Sequence, residues 1–480
     1  MLTLEPRPLW DAFQALSTIP RKSGHEAAAL AWFAGECRAL GLEVAEDAVG
    51  NLRVRKPAFP GREGATPVAL QAHIDMVTEK NESTAHDFLR DPIRLRMVGD
   101  HLYATGTTLG ADNGVGVCAA LAVLRDRELA HGPLEVLITV DEEAGMTGAS
   151  ALTPGWLRAK ILLNLDSEEE GYVTVGCAGG MDTVLRHAPT WEAAPAGAAA
   201  WRLLVSGLKG GHSGIDIQAG RANAIRLLGQ TLAQLEGVEG LRVGAVAGGN
   251  LRNAIPREAS AVLVGPAELG PRLEAAVAAA SAHWSAAFGR FDPGVTLALA
   301  PATPGPVLAE ADRRALVDLL LTLPHGVEAM SPDIADLVLT STNLAVLRGE
   351  AGGPLELALM TRSAMDRSKL ALAERIAAAG RRCGFEVEHR GHYPGWKPEP
   401  GAPIVGLVAE VWKELSGKDQ KVIAIHAGLE CGLIGEKQPG MQMLSFGPDM
   451  WDVHTPDEHV DVRSVGRFYG LLRRVLERIP

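Results

Sequence analysis

The stretch Leu134–Met146, LEVLITVDEEAGM, decides the fold of this 480-residue chain. Its first seven residues are mostly apolar and rich in β-branched types, which is typical of a buried strand. Three carboxylates, Asp141, Glu142 and Glu143, follow at once, and Gly145 permits a sharp turn. Because packed like charges raise each other's pKa values and resist burial, this strand should open onto polar space. Taken alone, the stretch fits a solvated turn equally well.

The same pattern, an apolar run that leads into a metal-ligating side chain, recurs three times. The runs are PVALQAHI (67–74) with His73 and Asp75, ILLNLD (161–166) with Asp166, and MQMLSF (441–446) with His454 after a short loop. In open α/β sheets, ligands bind outside the carboxyl ends of the strands. The sequence therefore predicts four strands that deliver potential ligands to one edge of a sheet.

Composition excludes several classes of protein. The formal net charge of −12 argues against nonspecific phosphate binding, so we expect no nucleic-acid partner. No run reaches 18 apolar residues and no signal peptide is evident, so we expect no membrane partner. The five cysteines are scattered without a CxxC pair, which favours reduced thiols in the cytoplasm.

The chain changes character twice, which predicts a discontinuous domain. Residues 1–182 and 397–480 hold the ligand-bearing strands and form one α/β catalytic domain with a mixed sheet flanked by helices. Residues 183–396 hold none of these strand endings, and their predicted β-α-β-β-α-β order starts a second time. We therefore predict an inserted α/β lid domain with two related halves.

Two local interpretations concern helix starts. Asp112 precedes an apolar helix and is a candidate N-cap, as is Ser23 for a helix over 24–40. Residues 114–119 match the dinucleotide pattern G-x-G-x-x-A formally. The preceding TGTTLGAD is polar, whereas that motif requires a strand, so a dinucleotide site is disfavoured.

Acidic residues dominate the predicted edge. The carboxylates at the edge are Asp75, Asp112, Glu142, Glu143 and Asp166, and the histidines are His73 and His454. Without cations the carboxylates would repel one another strongly, and two divalent ions would supply the missing positive charge. Oxygen and imidazole ligands suit zinc, manganese or cobalt. Two such ions form a known hydrolytic device.

The motifs that carry these residues resemble the co-catalytic zinc aminoacylase/carboxypeptidase metallopeptidase family. They are HIDMV (73–77), GADNG (110–114), DEEAGM (141–146), LLNLDSEE (162–169) and HTPDE (454–458). Further motifs resemble its Xaa-His dipeptidase branch, which comprises aminoacylhistidine and cytosol non-specific dipeptidases. These are VGCAGG (175–180), GGHSGIDI (210–217), GGNLRNAIPRE (248–258) and HAGLECG (426–432). The resemblance covers nearly the whole chain.

The resemblance implies a role for each residue of the edge. His73 and Asp166 would ligate one metal, Glu143 and His454 the other, and Asp112 would bridge both. Asp75 would orient His73 through a hydrogen bond. Glu142 would be the general base that takes a proton from a metal-bridging water and hands it to the leaving amine.

The resemblance also implies roles for the lid. His212 would stabilise the oxyanion, in some relatives from the partner subunit of a dimer. Arg362 would bind the substrate carboxylate through a planar two-donor fork, and Asn253 and His426 are further candidates for substrate binding. Ser213 is a poor nucleophile candidate because GHSGI departs from G-x-S-x-G at its last position.

The function implied is that of a di-zinc-type exopeptidase that hydrolyses dipeptides, either Xaa-His or a broad Xaa-Xaa range. Two alternatives remain open at this point: an N-acyl-amino-acid deacylase of the same fold, and a catalytically inactive metal-binding relative. A homodimer is implied by the family alone, and some relatives with enlarged lids mimic the dimer within one chain.

Overall fold

The computed structural model describes residues 2–480, which form two compact units. The first unit comprises the chain up to Cys177 together with Trp396–Ala424 and Leu429–Pro480, and the second comprises Ala178–Gly395 with Ile425–Gly428. The boundaries thus differ from our predicted divisions after 182 and 396, and a tetrapeptide of the predicted catalytic domain lies in the second unit. The reason is hydrogen bonding, because the Ala178 amide donates to the carbonyls of Ile425 and Ala427.

Residues 2–177 contain five helices and eight strands. The helices are α1 (Arg7–Leu16), α2 (Ala27–Ala39), α3 (Ala111–Arg125), α4 (Glu142–Gly145) and α5 (Thr147–Ala151). The strands are β1 (Glu43–Glu46), β2 (Leu52–Lys56), β3 (Val68–His73), β4 (Leu95–Val98), β5 (His101–Ala104), β6 (Leu134–Thr139), β7 (Ile161–Asn164) and β8 (Tyr172–Cys177).

The second unit contributes the next elements along the chain. Its helices are α6 (Ala224–Gln234), α7 (Gly270–Phe288), α8 (Glu310–Thr322) and α9 (Asp366–Arg382). Its strands are β9 (Gly179–His187), β10 (Trp191–Glu192), β11 (Ala199–Ser206), β12 (Gly211–His212), β13 (Arg242–Gly248), β14 (Ala254–Ile255), β15 (Ala259–Gly265), β16 (Thr296–Ala302), β17 (Val307–Leu308), β18 (Gly326–Met330), β19 (Val338–Gly349), β20 (Leu355–Ser363) and β21 (Glu386–Tyr393).

The C-terminal part returns to the first unit. Its helices are α10 (Pro403–Ser416), α11 (Glu430–Lys437) and α12 (Val462–Arg478). Its strands are β22 (Lys421–Ile425), β23 (Gln442–Ser445), β24 (Met450–Trp451) and β25 (His459–Asp461). Among residues 2–480, no helix combines the length and the apolar composition that crossing a bilayer would require.

An eight-stranded mixed sheet with the order β1-β2-β6-β3-β7-β23-β8-β22 forms the centre of the first unit. Its four middle strands, β6, β3, β7 and β23, are parallel to one another. Every residue of β3, β6 and β7 is buried, which explains why these runs are apolar along their length rather than alternating. The carboxyl ends of these strands therefore meet at one edge, as the sequence predicts.

A small four-stranded sheet of the first unit, with the order β24-β25-β5-β4, fixes the loop that carries His454. The rings of Trp451 and Tyr103 both stack on the His459 ring, with centroids 5.2 and 4.5 Å from it. Because Trp451 and His459 flank the loop, this stacking holds both of its ends.

The second unit is built on a nine-stranded antiparallel sheet with two related halves. The first half has the order β16-β11-β15-β13 and the second has β19-β20-β9-β21, joined where β13 pairs with β19. The ninth strand, β18, also pairs with β19. The order predicted for the second half lacks a first strand. The structure supplies β9, which precedes the whole first half in the chain, and this strand explains why the unit begins before residue 183.

Candidate metal centre

The ends of the four parallel strands bring the predicted ligands together in the first unit. His73 is the last residue of β3, and Asp166 lies two residues beyond the end of β7. Glu142 and Glu143 open α4, which begins three residues after the last residue of β6, whereas His454 lies in the loop after β24. The direction of the strands thus converts separate positions in the sequence into a single cluster.

Asp112 completes this cluster through a backbone conformation that the sequence did not predict. Our interpretation of Asp112 as an N-cap is wrong, because Gly110 precedes α3 in the left-handed conformation and no side chain caps the helix. The backbone of Asp112 is not helical (φ −79°, ψ 112°). Its carboxylate instead lies between the two histidines.

The two oxygens of Asp112 face two different groups of side chains. Oδ1 lies 3.1 Å from Nε2 of His73, which is itself 3.2 Å from Oδ1 of Asp166. Oδ2 lies 3.2 Å from Nε2 of His454, which is itself 3.1 Å from Oε2 of Glu143. Each group therefore contains one imidazole nitrogen and two carboxylate oxygens, and Asp112 is common to both.

Hydrogen bonds within the protein do not satisfy these groups. An imidazole nitrogen carries at most one hydrogen, so His73 Nε2 cannot donate to both Asp112 and Asp166. Asp166 Oδ1 and Glu143 Oε1 are buried and accept no hydrogen bond from the described residues. Buried oxygens of this kind require a partner, and a cation placed among three ligand atoms supplies it.

The ligand spacing suits a tetrahedral cation. A zinc ion with ligands at roughly 2.05 Å holds them about 3.3 Å from one another, close to the four separations of 3.1–3.2 Å. Atoms of His73, Asp112 and Glu143 also lie within 4.8 Å of one another. The donor set of nitrogen and oxygen matches zinc, manganese or cobalt. The residues present therefore fit two divalent ions that share Asp112.

The electrostatics of the cluster also favour added positive charge. Burial, together with the charges of Asp112 and Glu143, raises the pKa of Asp166 to about 7 although His73 opposes the shift. Hydrogen bonds to Asp112 and Glu143 raise the pKa of His454 to about 11. Bound protons thus balance the negative charge of the carboxylates when no metal ion does so. We therefore expect metal binding to release protons.

Asp75 connects His73 to the residues that follow β6. Its Oδ1 lies 3.3 Å from Nδ1 of His73 and accepts a hydrogen bond from the amide of Glu142 at 3.1 Å. Its Oδ2 accepts from the amide of Glu143 at 3.1 Å and from the hydroxyl of Ser23 at 2.7 Å. Our interpretation of Ser23 as an N-cap is therefore wrong, since Glu26 precedes α2 and Ser23 holds Asp75 instead.

Glu458 belongs to the site, although no feature of the sequence had marked it for this role. Its buried carboxylate accepts hydrogen bonds from the amides of Leu109 (2.7 Å), Gly110 (3.0 Å) and Ala111 (2.7 Å). Burial raises its pKa to about 7 although these hydrogen bonds oppose the shift. Glu458 thus fixes the loop that presents Asp112 from a position 349 residues away from Leu109 along the chain.

Arg21 holds the same loop from the other side and was not predicted either. Its buried guanidinium donates to the carbonyls of Ile74 (2.9 Å), Asp75 (3.0 Å) and Gly110 (2.5 Å). It therefore ties the segment after His73 to the segment before Asp112. Nothing in the local sequence of Arg21 distinguishes it from a surface arginine.

A row of buried polar side chains lies behind the strand ends. Glu430 accepts hydrogen bonds from Nε2 of Gln71 (2.6 Å) and from the hydroxyl of Thr139 (2.7 Å), and Asn164 donates to Gln71. Burial raises the pKa of Glu430 to about 8. This row crosses β7, β3 and β6, the three strands that lead to Asp166, His73 and Glu142.

We predict that Glu458→Gln will weaken metal binding about tenfold to a hundredfold, the usual effect of losing a group that orients metal ligands. The amide nitrogen of glutamine cannot accept a hydrogen bond, so part of the Asp112 loop loses its support. A titration with a competing chelator measures the affinity. Asp457→Asn, at the exposed neighbour, is the matched control, and equal affinities for the two variants would contradict this role.

The second unit brings the four predicted lid residues into one neighbourhood. The amide of Ser213, next to His212, donates to the carbonyl of Asn253 at 2.8 Å, and Nε of Arg362 donates to the hydroxyl of Ser213 at 3.3 Å. A side chain at Gly214 would collide with the carbonyl of His426. Glycine at 214 is therefore required for this close approach.

Arg362 and His426 are buried and held by partners that the sequence did not reveal. Nη1 of Arg362 donates to the hydroxyl of Tyr393 at 3.0 Å, so only part of its fork of donors remains for a ligand. Nε2 of His426 lies 2.7 Å from the hydroxyl of Ser341. Burial lowers the pKa of His426 to about 3, with a further contribution from Arg362. Asn253 is exposed.

The hydrogen bonds of His212 fix its tautomer. Nδ1 accepts from the amides of Gly214 (3.2 Å) and Ile215 (3.1 Å), so in the neutral ring the hydrogen lies on Nε2. Burial lowers its pKa, and Arg362 adds to this effect. His212 therefore presents an uncharged Nε2–H donor.

Known proteins provide an independent comparison. Residues 69–478 match the family described as Peptidase family M20/M25/M40. The chain is 41% identical over 478 residues to the cytosol non-specific dipeptidase of Escherichia coli (strain K12), a match that covers 99% of this chain and 98% of that protein.

Solved structures agree with this match. The aminoacylhistidine dipeptidase from Vibrio alginolyticus is 41% identical, with a TM-score of 0.95 over 100% of this chain and 98% of that one. The aminopeptidase PepT from Bacillus cereus, 17% identical with a TM-score of 0.58 over 99% of both chains, shares the fold. The resemblance predicted from the motifs is thereby confirmed, and this chain belongs to peptidase family M20/M25/M40.

Proposed function

We propose that this protein is a metallodipeptidase that uses two divalent ions, most simply zinc, to hydrolyse Xaa-His or a broader range of Xaa-Xaa dipeptides. One observation carries the proposal: the two oxygens of Asp112 face separate histidine–carboxylate pairs, and Glu142 stands beside them without a place in either. The names of the full-length relatives, a non-specific and an aminoacylhistidine dipeptidase, support this substrate class.

Five residues would hold the metals: His73 and Asp166 at one position, His454 and Glu143 at the other, and Asp112 at both. When bound, the ions would polarise the scissile carbonyl and lower the pKa of the attacking water. Asp75 would keep the His73 ring in place, because its carboxylate faces Nδ1 and leaves Nε2 toward the cluster.

Glu142 would act as the general base and then as the general acid. It accepts a proton from the attacking water and transfers it to the nitrogen of the leaving amine, so the carboxylate is regenerated in each turnover. Burial raises the pKa of Glu142 to about 9. Neighbouring divalent cations would lower this pKa toward the range that a base requires near neutral pH.

His212 would donate a hydrogen bond to the oxyanion. Its Nδ1 is occupied by two backbone amides, so Nε2–H is the free donor. A donor held in a fixed orientation would stabilise the negative charge that develops on the oxyanion.

We predict that wild-type enzyme will cleave a dipeptide efficiently and will cleave its C-terminal amide and the matching tetrapeptide poorly. Arg362 would bind the free carboxylate, which would otherwise be buried unpaired at a cost of several kcal/mol. Arg362→Ala should reduce kcat/KM for the free dipeptide about tenfold to a hundredfold, the range for hydrogen bonds to charged groups, and should change the amide far less.

Arg348→Ala provides the control for this experiment, because Arg348 is an exposed arginine on the strand adjacent to that of Arg362. Equal cleavage of acid and amide by the wild type would refute selection by the carboxylate. If the two differ but Arg362→Ala leaves the gap unchanged, another residue binds the carboxylate.

A release assay over dipeptides and N-acyl amino acids tests the proposed substrate class directly. Dipeptides should be turned over far faster than N-acyl amino acids, and the reverse result would favour the deacylase. We also propose a cytosolic location, as the name of the Escherichia coli relative states for that protein. Homodimer formation remains a prediction, which sedimentation analysis can test.

A further inference from the structure

Glu168 is an acidic residue of the first unit that has no part in metal binding or proton transfer. It lies two residues beyond Asp166, so the Cα atoms of the two residues are at most about 7 Å apart. Its carboxylate forms no hydrogen bond or ion pair with any residue in the range 2–480. Glu170 differs in having a charged partner, because Arg467 donates two hydrogen bonds to its carboxylate, of 2.5 and 2.6 Å.

The backbone around Glu168 is fixed against the segment that leads to His454. The Glu168 carbonyl accepts from the amide of Met450 at 2.9 Å. The hydroxyls of Ser167 and Ser445 lie 2.8 Å apart, and the Glu170 amide donates to Asp449 at 2.7 Å. The segment that follows Asp166 is therefore held against the segment that leads to His454.

The Glu168 side chain lies in the electrostatic field of the metal cluster. The ionisable groups that influence its carboxyl most are Asp112, His454, Glu143 and Glu458. The residue is nevertheless exposed to solvent. The Glu168 side chain is thus accessible to water and close enough to these groups to interact with their charges.

The other carboxylates around the centre are already committed. Three of them belong to the metal ligands, and Glu142 transfers the proton. Asp75 accepts hydrogen bonds from Ser23 and two backbone amides, and Glu458 accepts them from amides of the Asp112 loop. Glu430 accepts hydrogen bonds from Gln71 and Thr139. Of this group of carboxylates, Glu168 is the one that remains free to meet a ligand.

The geometry of a dipeptide places a positive charge close to the reacting bond. Standard backbone dimensions put the α-amino nitrogen about 2.5 Å from the carbonyl carbon that is attacked. Any carboxylate that binds this ammonium group must therefore lie at the rim of the metal centre. Bound substrate displaces water from around this group, and the attraction between an ammonium group and a carboxylate strengthens as water is excluded.

We propose that Glu168 is a substrate-binding residue whose carboxylate binds the protonated α-amino group of the N-terminal residue of the dipeptide. This inference rests on the proposed dipeptidase function and deepens it. An N-acyl amino acid carries no charge at this position, so Glu168 would select peptides with a free amino terminus.

Two substrates of nearly equal shape test the proposal. Alanyl-histidine carries the α-ammonium group, and propanoyl-histidine lacks it. Glu168→Gln should reduce kcat/KM for alanyl-histidine about tenfold to a hundredfold, chiefly through KM, because it removes a charge-assisted hydrogen bond. The same variant should change kcat/KM for propanoyl-histidine less than about twofold, and elemental analysis should show unchanged metal content.

Glu169→Gln is the matched control, because Glu169 is the exposed neighbour and should leave both substrates unaffected. Three results for Glu168→Gln would overturn the role of Glu168 but not the dipeptidase function. They are loss of metal, an equal fall in kcat/KM for both substrates, and an unchanged kcat/KM for alanyl-histidine. A wild type that hydrolyses propanoyl-histidine as well as alanyl-histidine, or that hydrolyses neither, would overturn the proposed dipeptidase function and this inference with it.

Discussion

Replacing Glu142 with alanine is expected to lower kcat by about 10²–10⁴-fold, the usual contribution of a positioned general base, while both metals stay bound. Glu142 contributes no atom to either group of ligands around Asp112. Its loss therefore removes the proton carrier without opening a coordination position. Steady-state kinetics combined with elemental analysis measures the two effects separately.

His454→Ala and Asp166→Ala provide the comparison, since each should weaken one metal position. Asp141→Asn serves as the control for the acidic cluster itself. Asparagine tolerates the left-handed conformation of residue 141 (φ 55°), so this variant should keep both metals and near-normal turnover. Equal metal loss in the Glu142, Asp166 and His454 variants would contradict the separation of base from ligand.

Removing the divalent ions is expected to abolish peptide hydrolysis, and adding zinc, manganese or cobalt should restore it. When no divalent ion is bound, burial and mutual repulsion of the carboxylates are compensated by protons on His73, His454 and Asp166. Protonated residues cannot polarise the substrate carbonyl as a divalent ion does.

The measurement is turnover of a dipeptide before and after dialysis against a chelator, with metal content determined on the same samples. An Asp112→Asn variant provides a control. Adding zinc to this variant after chelation should restore less turnover than in the wild type, because the ligand shared by both metal positions is altered. Full turnover by protein that elemental analysis shows to be free of metal would refute the metallopeptidase proposal.

The supporting residues share one arrangement: buried charged groups hold the ligand-bearing loops. Asp75 joins His73 to the amides of Glu142 and Glu143, and Glu458 binds the amides that precede Asp112. Each of these carboxylates is satisfied by several donors, which offsets part of the cost of burying it. The positions of the metal ligands therefore depend on residues that need not touch metal or substrate.

Much of the catalytic half could be predicted from the sequence because its signals are local. An apolar run that ends in a carboxylate or histidine identifies both a buried strand and its polar end, as at His73, Glu142 and Asp166. Parallel strands then place those ends at one edge whatever the details of packing. The motifs added the family, and the comparisons confirmed it.

Tertiary structure alone decided how the site is held together. Glu458 and Leu109 are 349 residues apart, and Arg21 and Gly110 are 89 apart, so no local pattern connects them. The N-cap interpretations of Asp112 and Ser23 were wrong for the same reason, because both side chains bind partners distant in the chain. The sequence by itself determined which residues end the strands. Folding decided their partners, because buried polar groups must be satisfied by whatever donors and acceptors the packed chain brings within reach.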